Sequence, residues 1–138
     1  MTPEQRREVN EAILAGRRAL ASLEEAEDAL DSASRWGLVD ILAGGLLTSL
    51  VKQARIGDAR EALAAAQADL MAFTREASDV RSIAELRVDV GSLNTVIDVL
   101  LDNPLVDLYV QKKIDDAQDV VEAALTATRT VLARLEAM

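Results

Sequence analysis

The sequence predicts an all-α fold, an up-down-up-down four-helix bundle of two duplicated antiparallel hairpins in a single domain. Three observations carry this prediction. Half of the 138 residues are hydrophobic but only 2% are aromatic, so the apolar content is Ala, Leu, Val and Ile, the side chains that fill helical seams. Apolar residues recur at three-and-four spacing along most of the chain, the period of a helix with one buried face. The chain also matches itself at an offset of 58, with Asp31, Ser34, Asp40, Leu42, Gln53, Ile56, Asp58 and Ala59 falling on Asp89, Ser92, Asp98, Leu100, Gln111, Ile114, Asp116 and Ala117. The length suits one domain and can bury a core if the helices pack along most of their length.

Thr2, Pro3 and Gln5 read as an N-cap, a first-turn proline and the third-position partner of a capping box, so a helix starts there. Val9, Ile13, Leu20, Leu23, Leu30 and Ala33 form its apolar stripe, which carries it to about Arg35. Gly16 lies on the same stripe, where it weakens the helix by about 1 kcal/mol relative to Ala but opens a packing notch. The repeat extends this helix through residues 38 to 43, with a bend at Trp36-Gly37 and Gly44 as the left-handed residue that ends it. Ile56, Ala59, Leu63, Ala66, Leu70 and Phe73 hold a strict heptad in a second helix that fades near Ala77. Ser82 and Glu85 form another capping box for a third helix, whose stripe Ile83, Leu86, Val90, Leu93, Ile97 and Leu100 ends near Leu101. Asp102 or Asn103 caps a fourth helix with Pro104 at its first position. Its heptad of Ile114, Ala117, Val121, Ala124, Val131 and Leu135 makes it about as long as the second. Hairpin one covers about 3–78 and hairpin two about 82–137.

Composition excludes several kinds of function. A net charge of -9 gives a surface that repels phosphate backbones, so nucleic acid is not an expected partner. With no Cys and no His, the chain lacks disulfides, thiolate or imidazole metal ligands and every histidine-based catalytic triad. Glu-x-x-His di-iron motifs are absent for the same reason. Met1 to Arg7 opens with a cap and charges rather than a basic stretch before an apolar core, so no signal peptide is read and a cytoplasmic location is expected.

One region asks for an explanation. Trp36 to Val51 (WGLVDILAGGLLTSLV) holds a single charged residue, and its apolar residues lie on every side of a helix. Its repeat counterpart, Thr95 to Val110 (TVIDVLLDNPLVDLYV), is similar, so the duplication places two apolar hairpin tips at one end of the bundle. The tip surface is read as Trp36, Leu38, Leu42, Leu46, Leu47, Leu50, Leu101, Leu105, Leu108 and Tyr109, with Lys52, Arg55, Lys112 and Lys113 as flanking cations. Three roles are open: the tips cover each other as core, they associate in a homo-oligomer or with a protein partner, or they touch a membrane with the cations snorkelling to headgroups. The acidic total charge weighs against anionic membranes. Sixteen residues broken by Gly44-Gly45 fall short of the about 20 needed to span a bilayer.

Asp40 and Asp98 share a repeat position inside these apolar runs, so each is read as a buried or turn-fixing carboxylate held by a turn amide or a flanking cation. The alternative joins them with Asp102 and Asp107 as oxygen ligands for Mg²⁺ or Ca²⁺, although the spacing matches no defined metal loop. Glu24, Glu25, Glu27, Asp28 and Asp31 make an acidic run on the first helix that reads as a solvated face.

The motif W-G-x-x-D-I-L-A-G-G-L-L-T-S-x-x-K-x-x-R-I-x-D-A, from Trp36 to Ala59, resembles that of small uncharacterised bacterial helical proteins with W-G-x-x-D-L-L-G-G-G-L. Asp98, Asp102, Asp107, Gln111, Lys113, Ile114 and Asp116 resemble their second half, so the similarity covers most of the chain. Ala43 stands where that motif has a third glycine, and its side chain widens backbone contact at the first turn. The resemblance implies a bacterial origin and a shared fold, and it supplies no catalytic residues. The sequence therefore predicts a nonenzymatic interaction or structural protein without a cofactor, acting through its apolar tips. The alternatives are a peripheral membrane or hydrophobic-ligand binder using the same tips, and a metal-dependent carboxylate site.

Overall fold

The computed structural model describes the backbone of residues 1–43, 46–80, 84–102 and 111–138, and the side chains of 1–35, 50–80, 86–100 and 112–138. These residues form four helices, α1 (Pro3–Ala43), α2 (Leu46–Asp79), α3 (Ala84–Asp102) and α4 (Gln111–Glu136), and among the described residues there is no strand. The capping box at the start of α1 is formed: the Thr2 amide donates to Gln5 Oε1 at 2.9 Å and the Gln5 amide donates to Thr2 Oγ1 at 3.2 Å. α1 continues as one helix through Trp36 and Gly37 for 41 residues, about 60 Å at 1.5 Å per residue. α2 runs two residues past Ala77. Gly44, Ser82, Ile83 and Pro104, expected to end or start helices, lie outside the described residues.

The bundle is held by seams of buried apolar residues at alternating steps of three and four. On α2 these are Ile56, Ala59, Leu63, Ala66, Leu70, Phe73, Ala77 and Val80, which extends the expected heptad to the end of the helix. On α1 they are Val9, Ala12, Gly16, Ala19, Leu23, Ala26, Leu30 and Ala33. The expected α1 stripe needs correction at two places, because Ile13 and Leu20 are only partly buried on its flank while Ala12, Ala19 and Ala26 hold the centre. A strict three-four seam takes its residues from two heptad positions, and over the described side chains of α1, up to Ala33, one of the two is alanine at every step. Alanine lets the facing helix come close, so the larger side chains one position along pack at the edge.

Gly16 is the deepest point of that seam. A Cβ built on it would lie 2.8 Å from Phe73 Cε1, 2.9 Å from Phe73 Cζ and 3.0 Å from Leu132 Cδ1, so α2 and α4 both place a side chain into the notch. Phe73 is the chain's single phenylalanine and is fully buried, and Gly16 makes room for its ring.

α1 packs most extensively on α2 and next on α4, α3 packs on α4 and more lightly on α2, and among the described residues no contact joins α1 to α3 or α2 to α4. Facing pairs descend in one helix as they climb in the other. Gly16 meets Phe73 and Ser22 donates a hydrogen bond to Asp69 across α1 and α2. Across α1 and α4, Arg17 pairs with Glu136 at 3.3 Å, Glu24 with Arg129 at 3.7 Å, and Gln118 Nε2 donates to Asp31 at 2.7 Å. Arg134 of α4 pairs with Asp89 of α3. Gln67 of α2 donates to the Leu100 carbonyl at 3.1 Å and so satisfies one of the carbonyls that the last turn of α3 leaves without an intrahelical partner.

Burial matches the sequence repeat on one side only. Ile56, Ala59, Leu63, Ala66, Leu70, Phe73 and Ala77 fall at the same offset on Ile114, Ala117, Val121, Ala124, Thr128, Val131 and Leu135, and all are buried. Leu30 and Ala33 of α1, by contrast, fall on Val88 and Gly91 of α3, which are exposed. α3 buries Leu86, Val90, Leu93, Ile97 and Leu100, a stripe displaced by two residues, and a two-residue displacement turns a helix by about 200°.

The notch gives a test of packing against helix propensity. Gly16→Ala gains about 1 kcal/mol of propensity, yet urea unfolding should show a net loss of about 1–2 kcal/mol because the methyl collides with a fully buried ring. Gly57→Ala, whose Cβ meets nothing within 4 Å among the described residues, should instead raise stability by about 0.5–1 kcal/mol in the same measurement.

Candidate interaction surface

Most of the expected tip surface lies beyond the side chains described. Trp36, Leu38 and Leu42 belong to α1, Leu46 and Leu47 to α2 and Leu101 to α3 by backbone alone. Leu105, Leu108 and Tyr109 fall outside the described residues. Leu50 is the tip residue whose side chain is described, and it is 56% exposed. The next residues on α2, Val51 and Lys52, are half-buried and Arg55 is exposed, so this end of α2 presents an apolar side chain beside a cationic one. On α4, Lys112 is exposed and Lys113 half-buried.

The carboxylate reading changes at Asp98. Of the two readings, buried or turn-fixing, burial does not hold: the phase of α3 turns Ile97 and Leu100 inward and Asp98 outward, where it is exposed, while the turn it was expected to fix lies outside the described residues. An exposed carboxylate is solvated and needs no buried partner. The side chain of Asp40 lies outside those described. Arg55, one of the cations expected to hold these carboxylates, approaches Asp58 of its own helix at 3.9 Å. Among the described residues no group of three or more acidic side chains is placed to hold a metal ion. Of the acidic run on α1, Glu24 and Asp31 serve the α1–α4 seam through Arg129 and Gln118, whereas Glu25 and Asp28 face solvent.

Sequence reasoning missed an apolar surface on α3. Val88 is 71% exposed and Val99 50%, and Gly91, Ser92 and Thr95 between them are exposed as well. The signal was legible, because Val88, Gly91 and Thr95 repeat at three-four spacing on the face opposite the buried stripe. Beside this face an open groove of about 460 Å³ separates α3 from the end of α2, lined by Ala77, Ser78, Val80, Leu86, Arg87, Val90, Gly91 and Asn94.

No protein-family model, curated protein or solved structure matches the chain. Among the described residues no helix is long and apolar enough to cross a membrane.

One buried polar group remains to be placed. Thr128 of α4 is fully buried where the repeat has Leu70, and its hydroxyl has no hydrogen-bond partner among the described residues. Thr74, Thr95, Thr126 and Thr130 each donate to the carbonyl four residues earlier. An unsatisfied buried hydroxyl costs about 1–3 kcal/mol, so Thr128→Val, which keeps the shape and removes the hydroxyl, should raise the unfolding free energy by about 1 kcal/mol. Chemical denaturation of the two proteins side by side measures it.

Proposed function

We propose that this chain is a nonenzymatic interaction protein of the cytoplasm, an up-down-up-down bundle of two related hairpins that docks a protein partner or a further copy through its apolar tips. The exposed Leu50, at the edge of a sixteen-residue segment with one charged residue, is the observation that carries the reading. The descending registers of α1 against α2 and of α1 against α4 support the up-down order, and the matched burial of α2 and α4 supports the relation between the hairpins. The tip contact is apolar at Leu50 with a cationic fringe at Lys52 and Arg55, which suits a partner surface that is apolar with an acidic rim.

A photo-crosslinking amino acid at position 50, with a second at the exposed position of Arg75 as control, tests this in cells. The expected result is one or a few discrete protein adducts from position 50, absent from the control and lost when Leu46→Glu is added. Identical patterns from both positions, or none from either, would remove the tip as a docking surface.

A further inference from the structure

We propose that the outer face of α3 is a symmetric contact through which two copies of this chain pair with their α3 helices antiparallel. This surface is separate from the tip and does not rest on the tip reading. Val88 and Val99 are exposed near opposite ends of α3, and so are Arg87 and Asp98. Each of these pairs is separated by three helical turns, so both members project along nearly the same line. Arg87 and Asp98 lie on the flank toward α2, Val88 and Val99 on the flank toward α4, and Gly91 with Thr95 lies midway between the ends.

A two-fold axis through the middle of this face keeps each flank opposite itself while exchanging its ends. Arg87 of one copy then faces Asp98 of the other, twice, and Val88 faces Val99, twice. The centre of the crossing is Gly91 and Thr95, small enough for close backbone approach. The same sequence order therefore supplies opposite charges, matched apolar groups and a narrow waist to one self-complementary face.

Three features of the single chain support this. The exposed positions from Arg87 to Asp98 carry one positive and one negative charge, a neutral face on a chain of net charge -9, so a second copy meets little net repulsion there. Arg87 sits in the first described turn of α3, where the helix dipole disfavours its charge, Asp98 lies toward the other end, and among the described residues neither has an ion-pair partner. Gly91 weakens α3 while a Cβ there would meet nothing within 4 Å among the described residues, unlike Gly16. Gly57 is equally open but stands beside Asp58 and near Glu61, so an open glycine marks this surface only in combination with the neutral, charge-paired face.

Sedimentation equilibrium of the purified full chain over a range of concentrations, for wild type, Arg87→Glu, Asp98→Arg and the double exchange, tests the pairing. The wild type should reach about twice the 14.9 kDa of one chain. Each single reversal sets like charges opposite one another and should weaken the dimer at least about tenfold. The double exchange should restore it to within about threefold of wild type. Both positions are exposed on the monomer, so at concentrations where every variant is monomeric circular dichroism and melting temperature should match wild type, which separates loss of association from unfolding. A wild type that stays monomeric at about 0.1 mM would overturn the proposal. So would a dimer indifferent to the reversals, or one weakened by them that the double exchange fails to restore. A dimer that responds only to Leu50→Glu would overturn it while assigning the association to the tip.

Discussion

The close seam between α1 and α2 is the interaction on which the other contacts depend. One of its two heptad positions on α1 is alanine at Ala12, Ala19, Ala26 and Ala33, all fully buried. Small side chains bring helix axes toward the short end of the usual 8–10 Å range, where backbone and Cβ atoms themselves make the dispersion contacts. Each such layer removes less apolar area from water than a leucine layer would, at about 25 cal/mol per Å². A seam of this kind gains stability by repetition, and α1 and α2 are accordingly the long helices, at 41 and 34 residues.

α1 makes the two most extensive helix contacts among the described residues, with α2 and with α4, and its two flanks are chemically different. Toward α2 it offers the alanine seam and Ser22. Toward α4 it offers Ile13 and Leu20 at the edge and a row of Arg17, Glu24 and Asp31 facing Glu136, Arg129 and Gln118. The ion pairs in that row are 44% to 62% exposed and add little to stability individually, but they match charge to charge in a single alignment of α1 with α4. α3, the shortest helix, adds one wall through Leu86, Leu93 and Leu100 and ends where Gln67 caps it.

Most of this architecture was legible in the sequence, and the exceptions share one cause. The heptads of α2 and α4 and the capping box of α1 read directly, because there the apolar residues at seam positions are also the conspicuous ones. On α1 alanines hold one of the two seam positions and a glycine interrupts the other, so Ile13 and Leu20 draw attention in their place although their size says nothing of which position faces the neighbour. Asp98 misled in the opposite way: local apolar content suggested burial, whereas the phase set by Leu93, Ile97 and Leu100 decides that it points outward. Thr128 was passed over because a polar residue interrupts an apolar pattern without changing its period. The tip was legible as an apolar segment, but its role depends on which side chains cover one another, and a periodicity common to every side of the helix does not encode that.

A seam built from repeated alanines carries an ambiguity of its own. Sliding α2 along α1 by one heptad sets seam positions against seam positions again, so the periodic contacts by themselves are nearly degenerate among several alignments. Gly16 and Phe73 remove that degeneracy. A slide in one direction brings the ring against Val9, and in the other against Leu23, side chains that fill the space it needs. Among the described side chains the one glycine of the seam, with the one phenylalanine of the chain, works as a key and its slot, holding two otherwise periodic helices to a single alignment.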